Sequence, residues 1–244
     1  MTVEQFIFAG LVFFAAYLVS TITGFGANVV GVPLLALVLG GIEPGKQSLV
    51  VLGMLLYIYV VWRHHQKIDW RQLRVILLVA GIGAVIGLLV AKLLPHRASN
   101  LILALFVMGV GARGLLNVAP NLKTPMWLSR IMLFLGGAVH GALTTGGPLI
   151  VIYTREVLHH KSVFRSTLAV MWLILGAVLI VGWTITKSWD PHTGSATLIG
   201  LPFLVLGTII GEQLHHRVDE QRFRTVVNVT LIATGSVLLW ENLK

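Results

Sequence analysis

The stretch Gly26-Ala-Asn-Val-Val-Gly-Val-Pro-Leu34 is matched in the second half of the chain by Gly141-Ala-Leu-Thr-Thr-Gly-Gly-Pro-Leu149. Five of the nine positions are identical, and the same offset places Lys46 on Lys161. A second offset, nine residues larger, aligns Gly83, Ile86, Gly87, Gly111 and Leu115 with Gly207, Ile210, Gly211, Gly235 and Leu239. Internal repeats of this kind reveal the architecture. They predict two homologous halves, about 1–116 and 127–244, joined by a connecting loop at 117–126.

The composition of both halves is that of a membrane protein. Of the 244 residues, 56% are hydrophobic and only 11% are charged, and the mean hydropathy is +0.88. Soluble domains carry about 25% charged residues, so a soluble globular enzyme is excluded. The chain has no cysteine, which excludes disulfide frameworks, thiolate metal sites and cysteine nucleophiles.

Apolar runs divide each half into five segments. Residues 5–42 contain no charged side chain and are interrupted by Gly24-Phe25-Gly26, which predicts a hairpin. The hairpin at 128–158 has legs of about 14 residues, or ~21 Å of helix, against a hydrocarbon core of ~30 Å. The predicted fold is an all-α polytopic membrane protein with about 8–10 transmembrane segments. Its hairpins at 20–40 and 140–158 are expected to be broken or re-entrant.

Positive charge orients these segments. Thirteen of the 18 Lys and Arg residues fall in four loops. These loops lie on the same side of the membrane if each pair of segments between them crosses the membrane and returns. That side is predicted to be cytoplasmic. The 13 residues are Arg63, Lys67, Arg71, Arg74, Arg113, Lys123, Arg130, Arg155, Lys161, Arg165, Arg217, Arg222 and Arg224. Five segments per half make the second half inverted, as in many secondary transporters, and the net charge of +9 then reflects topology rather than a nucleic-acid partner.

The candidate site lies at the glycine-rich turns of the two hairpins, Ser20–Asn28 and His140–Pro148. Unwound backbone at membrane depth is tolerated only where it is buried in protein or lines a cavity. The helices expected after the breaks, with Pro33 and Pro148 near their beginnings, would offer a partial positive charge and unpaired amides to an anion. The predicted substrate-binding residues are Ser20, Thr21, Thr23, Gly24, Phe25, Gly26, Asn28, His140, Gly141, Thr144, Thr145, Gly146 and Gly147.

These glycines have a second interpretation, since small residues also allow close packing of membrane helices. Packing is the better explanation for any single glycine. A duplicated cluster that also contains threonines, Asn28 and His140 favours a binding site.

Ionisable residues inside the apolar segments are few. His140 lies well inside a span, where it could donate to an oxyanion or carry a coupling proton. A structural histidine bonded to a neighbouring helix is an equal alternative. Lys46 and Lys161 are expected at opposite mouths of the protein, where they could attract anions. Ammonium groups that merely reach the interface from helix ends are the favoured interpretation.

Other polar and aromatic residues have simpler explanations. The pairs His64–His65, His159–His160 and His215–His216 lie in basic loops, where adjacent positive charge disfavours a cation, so no metal and no cofactor is predicted. Arg113, Asp190 and Glu212 are attributed to solvated span ends. The tryptophans at span ends form an aromatic belt: they are Trp62, Trp70, Trp127, Trp183, Trp189 and Trp240.

The motifs Gly24-Phe-Gly-x4-Gly-x-Pro-Leu34 and Gly141-x4-Gly-Gly-Pro148 resemble those of the sulfite exporter TauE/SafE family, also called the 4-toluene sulfonate uptake permease family. The resemblance covers nearly the whole chain. It implies a multi-pass transporter of the bacterial or archaeal inner membrane that moves sulfur-containing anions, such as sulfite, sulfoacetate or other organosulfonates. Ala27 and Asn28 stand where members of the family often have further glycine.

Together these features predict a secondary transporter that works by alternating access, in which a proton or another ion is a candidate for coupling. No Gly-x4-Gly-Lys-[Ser/Thr] motif for ATP is present, and no enzymatic activity is expected. The expected partners are a small anionic substrate and the lipid bilayer, with an oligomer left open. The alternatives are a non-transporting membrane subunit and an intramembrane hydrolase. A cation transporter is disfavoured because no acidic residue is expected at membrane depth.

Overall fold

A computed structural model of the chain describes residues 3–116, 125–214 and 220–243. Within these ranges the chain forms ten α-helices, one 3-10 turn (His65–Lys67) and no strand. The first half contains α1 (Val3–Thr23), α2 (Ala27–Leu39), α3 (Ile42–His64), α4 (Trp70–Ala91) and α5 (His96–Leu115). The second half contains α6 (Met126–Leu143), α7 (Gly147–Val157), α8 (Lys161–Ile185), α9 (Thr193–Leu214) and α10 (Glu220–Leu243).

Eight of these helices are long and apolar enough to cross a membrane, which confirms the predicted all-α polytopic fold. The two exceptions are α2, with 13 residues, and α7, with 11. Most of the predicted connecting loop, 117–124, lies outside the described residues, as do Lys123, Arg217 and the pair His215–His216. The division into two domain-like halves stays a prediction.

Each short helix folds back along the long helix before it. A Cβ on Gly31 of α2 would lie 3.3 Å from the Cβ of Ala16 in α1. Likewise, a Cβ on Gly136 of α6 would lie 2.9 Å from the backbone nitrogen of Ile150 in α7. The two segments of each predicted hairpin are therefore packed against each other.

The helix breaks lie within the two predicted turns but are shorter than predicted. They comprise only residues 24–26 and 144–146, so His140 and Gly141, expected in an unwound turn, belong to α6. Pro148 stands at the beginning of α7 as expected, but Pro33 lies inside α2. The match of Gly26 with Gly141 places the second break at 139–141, whereas it lies at 144–146, five residues further along the chain. The matched motifs therefore do not occupy equivalent positions in the two hairpins.

The long helices pair across the two halves rather than within them. α1 packs against α9, α4 against α6, α5 against α10 and α3 against α8. α4 and α6 touch backbone to backbone, because Cβ atoms on Gly83 and Gly87 would collide with Phe134 and Ala138, and one on Gly137 with Ala80. Such close approach without side chains between the helices is how small residues hold membrane helices together.

The helix pairs also show in which direction the halves run. Near the end of α5, Gly111 lies against Asn228 and Leu231 in the first half of α10. Near the beginning of α5, the Nε of Arg97 donates to the carbonyl of Asn242 at the end of α10, 2.9 Å away. The two helices are therefore antiparallel. These helices occupy the fifth place in their respective halves. The inverted repeat stays a prediction, and this packing supports it.

Polar side chains of α3 tie the first half to the second at one end of the bundle. Gln47 is fully buried, its Nε2 donates to the carbonyl of Ser188 (2.9 Å), and its Oε1 accepts from the hydroxyl of Thr193 (2.6 Å). The Nζ of Lys46 bonds to Glu43 (2.7 Å) and to the carbonyl of Ala142 (3.3 Å). Lys46 is only 4% exposed, so the prediction that its ammonium group reaches the interface is wrong.

The contact between α4 and α6 can be tested with Gly87→Ala. A methyl group there would collide with the carbonyl oxygen of Ala138, which would force the helices apart. We expect the variant to lose about 1–3 kcal/mol of stability, measured as a lower melting temperature in detergent. Gly81→Ala is the matched control, because Gly81 lies in the same helix and no atom would come within 4 Å of its Cβ. Equal melting temperatures for the two variants would contradict this account.

Candidate functional site

The two helix breaks meet inside the protein around Trp172 of α8. The Nε1 of Trp172 donates to the carbonyl oxygen of Gly24, 3.3 Å away. The indole ring lies 5.0 Å from the ring of His140, at 44° to it. A Cβ on Gly147 would lie 3.5 Å from Phe25 and 3.7 Å from Trp172. Residues of both predicted turns are thus brought together, although the turns are far apart in sequence.

The first break depends on glycine and on one threonine. Gly24 and Gly26 have φ angles of 82° and 100°, which side chains strongly disfavour. The hydroxyl of Thr23 bonds to the carbonyls of Val19 (2.8 Å) and Phe25 (2.5 Å) and accepts from the backbone N–H of Phe25 (3.3 Å), so it links the last turn of α1 to the break. Thr23 therefore has a structural role in the break itself.

The second break has no glycine at its left-handed position. Thr144 adopts φ 59°, and its backbone nitrogen donates to the carbonyl of His140, 2.8 Å away. Gly146 packs against the backbone of α6, where a Cβ would collide with the carbonyl of Gly136. Gly141 packs against α4 in the same way, at the carbonyl of Ala84. Close packing thus accounts for these two glycines.

Neither helix that follows a break has a side-chain cap. Gly26 precedes α2 and Gly146 precedes α7, and glycine has no side chain that could bond to the first amides of the helix that follows it. Asn28, half-buried, lies in the first turn of α2. Uncapped helix beginnings carry free N–H groups and a partial positive charge, which suit an anion.

Several buried polar atoms at the breaks have no hydrogen-bond partner among the described residues. They are the hydroxyls of Thr21, Thr144 and Thr145 and the Nδ1 of His140. Thr145 is completely buried, and Thr21 and Thr144 are each 1% exposed. Because more than nine in ten buried polar groups in proteins are paired, such a group of unpaired atoms is unusual. All four belong to residues that the sequence predicted for the site.

A small hollow opens beside the first break. Ser20, Thr21 and Gly24 line it together with Tyr57 of α3 and Arg165 of α8. It contains about 200 Å³ of empty space, its open mouth included. Its interior has room for about one water molecule, so the surrounding helices must move apart to admit an anion. The hydroxyls of Ser20 and Tyr57 lie 3.5 Å apart.

Arg165 gives the hollow its positive charge. The sequence placed it in a basic loop, but it lies in the second turn of α8, where its Nη2 donates to Oε1 of Glu212 in α9. The Arg165 side chain is only 13% exposed and that of Glu212 is 34% exposed. Glu212 lies at the end of its span as predicted, but solvation is not its whole explanation, because its carboxylate is also the counter-ion of the nearly buried guanidinium of Arg165.

Sequence reasoning missed Arg165, Tyr57 and Trp172. Trp172 carried a signal, since it is the one tryptophan of seven in the middle of an apolar segment instead of at its end. An indole N–H needs a partner when it is buried, and here the partner is the carbonyl of Gly24. Arg165 and Tyr57 gave no such signal, because their neighbours in space come from other helices.

Comparison with known proteins identifies the family of the chain. The family model for the Sulfite exporter TauE/SafE matches residues 9–238, nearly the whole chain. The chain belongs to this family. No solved structure matches it.

A curated relative of this TauE/SafE chain is the "Probable inner membrane transporter protein TsaS" of Comamonas testosteroni. The two are 26% identical over 181 residues, which cover 72% of this chain and 76% of the relative. Membership of the family and the eight candidate spans establish a multi-pass membrane protein.

The role of Trp172 can be tested with Trp172→Phe, which keeps an aromatic ring beside His140 but removes the N–H donor. We expect a loss of about 1 kcal/mol or more of stability, since the carbonyl of Gly24 loses its partner. Trp127→Phe makes the same chemical change at a side chain that is 65% exposed on α6, and it should have little effect. Denaturant unfolding in micelles measures both, and a larger loss for Trp127→Phe would refute this role.

Proposed function

We propose that the protein is a secondary transporter that moves a small sulfur-containing anion, such as sulfite, sulfoacetate or another organosulfonate, across the bacterial or archaeal inner membrane by alternating access. The family match and the TsaS relative support transport of this class of substrate. The name of the relative also supports the inner membrane as the location of this protein.

The observation that carries the proposal is the group of unpaired polar atoms at two touching helix breaks. The hydroxyls of Thr21, Thr144 and Thr145 and the Nδ1 of His140 are buried and without partners among the described residues. Each can donate a hydrogen bond to an oxyanion. An unpaired buried polar group costs about 1–3 kcal/mol, so a ligand that pairs with several of these atoms would recover that energy on binding.

Electrostatics favours an anion over a cation. Arg165 lines the hollow with a charge that is permanent, because guanidinium does not deprotonate in proteins. The uncapped beginnings of α2 and α7 add partial positive charge nearby. The carboxylate of Glu212 forms an ion pair with Arg165, so the negative charge of Glu212 is balanced.

The hydrolase alternative lacks support at His140. A serine nucleophile needs a base within hydrogen-bonding distance, yet the Nδ1 of His140 bonds to no side chain among the described residues. The ring of His140 instead faces Trp172. A non-transporting subunit stays an alternative that flux measurements can exclude.

The decisive experiment is transport by the purified protein alone in liposomes. The panel should contain sulfite, thiosulfate, sulfoacetate, taurine and methanesulfonate, with chloride and sulfate as inorganic anions. We expect saturable uptake of at least one sulfur anion that protein-free liposomes do not show. Absence of uptake for the whole panel would refute the proposal, and it would favour a subunit that anchors a partner.

Thr145→Val tests whether the buried hydroxyls bind the substrate. Valine has nearly the same shape but cannot donate, so the affinity for the transported anion should fall about tenfold or less, as expected for one hydrogen bond of about 1 kcal/mol. Thr225→Val is the matched control, because Thr225 is exposed on α10 and its hydroxyl bonds to its own helix. Equal affinities for the two variants and the unmodified protein would contradict a binding role.

His140→Gln tests whether His140 carries a coupling proton. Glutamine can still donate a hydrogen bond but does not titrate between pH 5 and 8. If His140 is the carrier, uptake by the variant should no longer change with pH over this range. An unchanged pH profile in liposome uptake would reject this role and leave His140 as a hydrogen-bond donor.

A further inference from the structure

The ion pair between Arg165 and Glu212 stands at the entrance to the proposed site. It joins the second turn of α8 to the last turn of α9, beside the first helix break. A Cβ on Gly24 would lie 3.6 Å from the Cα and Cγ of Arg165, so the guanidinium arm passes directly against the break. Ser20 and Thr21 line the same hollow as Arg165.

The charges of this pair balance each other before any substrate binds. Arg165 has five N–H donors and a fixed positive charge, and one of its nitrogens is bonded to Glu212. An incoming monoanion would be a second negative group on the same guanidinium. Two anions close together in a partly buried site cannot both stay charged without a large cost, so one of them must leave or accept a proton.

Glu212 is the group that can accept the proton. Oxygen acids of the sulfonate type stay ionised in water, whereas a carboxylate that loses its cationic partner and gains an anionic neighbour binds a proton more readily. The proton would come from the aqueous mouth of the hollow and form an O–H bond on the carboxylate. The net charge of the site stays the same, because one negative charge arrives as another is neutralised.

The neighbouring charged groups are few among the described residues. α9 packs against α1, α3 and, at this end, α8. From α1, Thr21 faces Gly211 and does not titrate in this range. From α3, His64 interacts electrostatically with both Arg165 and Glu212, and Arg63 and Lys67 lie near His64. His64 is thus a second side chain at this mouth of a type that can exchange a proton between pH 5 and 8, and it needs its own control. Tyr57 also lines the hollow, but tyrosine does not titrate in this range.

We propose that Arg165 is the anion-binding residue of the hollow and that Glu212 is its exchangeable counter-ion, which takes up one proton when a monoanion replaces it on the guanidinium. This inference rests on the proposed function. It makes transport of a monoanion electroneutral, with one proton moved in the same direction.

Methanesulfonate is the probe for the test, because it carries no proton itself between pH 6 and 8. Liposomes with a trapped pH-sensitive dye and a clamped membrane potential report proton entry while radiolabelled methanesulfonate reports anion uptake. We expect methanesulfonate added outside to acidify the lumen of liposomes that contain the unmodified protein. Glu212→Gln should lower the number of protons that enter per methanesulfonate ion at least about tenfold, whatever its rate of uptake, since glutamine imitates the protonated acid and cannot take up a proton.

Arg165→Gln should reduce the affinity for methanesulfonate at least about tenfold, since hydrogen bonds to a charged group are strong. Arg74→Gln, at an exposed arginine of α4, should bind as the unmodified protein does. If Arg165→Gln does not fold because it leaves Glu212 unpaired, the double variant Arg165→Gln/Glu212→Gln removes both charges. The double variant should fold and show the same loss of affinity.

The outcomes separate the inference from the proposed function. If the unmodified protein takes up none of the sulfur anions, the proposed function fails and the inference fails with it. If it takes up methanesulfonate but Glu212→Gln still moves protons, or if uptake moves no protons at all, only the inference is overturned. Loss of proton entry in His140→Gln or His64→Gln, with proton entry kept in Glu212→Gln, would likewise overturn it. Unchanged affinity in the double variant would remove Arg165 from the site.

Discussion

Inside a bilayer no water is available to bond with a backbone group that a helix leaves free, and this constraint governs both hairpins of the protein. The chain interrupts its helices at residues 24–26 and 144–146, where buried carbonyls need new partners. Thr23 and Trp172 supply them at the first break. The breaks are tolerated because they lie against each other and not against lipid. The same burial leaves polar atoms without a hydrogen-bond partner among the described residues.

The second determinant of the fold is the close approach of helices at glycine. α4 and α6 touch through Gly83, Gly87 and Gly137, and α1 and α9 touch where Gly207 lies against the backbone of Phe14. The outer helices meanwhile expose large apolar side chains, such as Leu78 and Leu198, to the lipid. In a membrane the apolar side chains themselves give little drive for helices to associate. Backbone contact at glycine, with the polar ties of Gln47, is what positions the helices of one half on those of the other.

Most of the fold could be predicted from the sequence because length and hydropathy decide where membrane helices lie. The ends of α4 and α9 fall within a few residues of the apolar runs that the sequence shows at about 73–94 and 195–214. The breaks were harder to predict, because glycine both interrupts helices and allows them to pack closely. Of the two matched glycines, Gly26 lies at a break, whereas Gly141 lies inside α6 and packs against α4. Arg165 could not be assigned to the site from sequence, because its position near a basic loop is equally well explained by topology. Only the fold shows that Glu212 is its partner.

The pairing of helices has a mechanical consequence. Because α1 is held on α9 and α4 on α6 at the level of the backbone, each half is interlocked with the other. The halves cannot swing apart as two separate blocks without breaking both contacts. The units that can shift as rigid bodies are the mixed pairs α1–α9 and α4–α6, which lie on either side of the crossing between α3 and α8. At this crossing a Cβ on Gly176 would lie 2.9 Å from the sulfur of Met54. The proposed alternating access would then require these mixed pairs to move against each other across this crossing, beside Trp172 and Arg165, which both lie on α8.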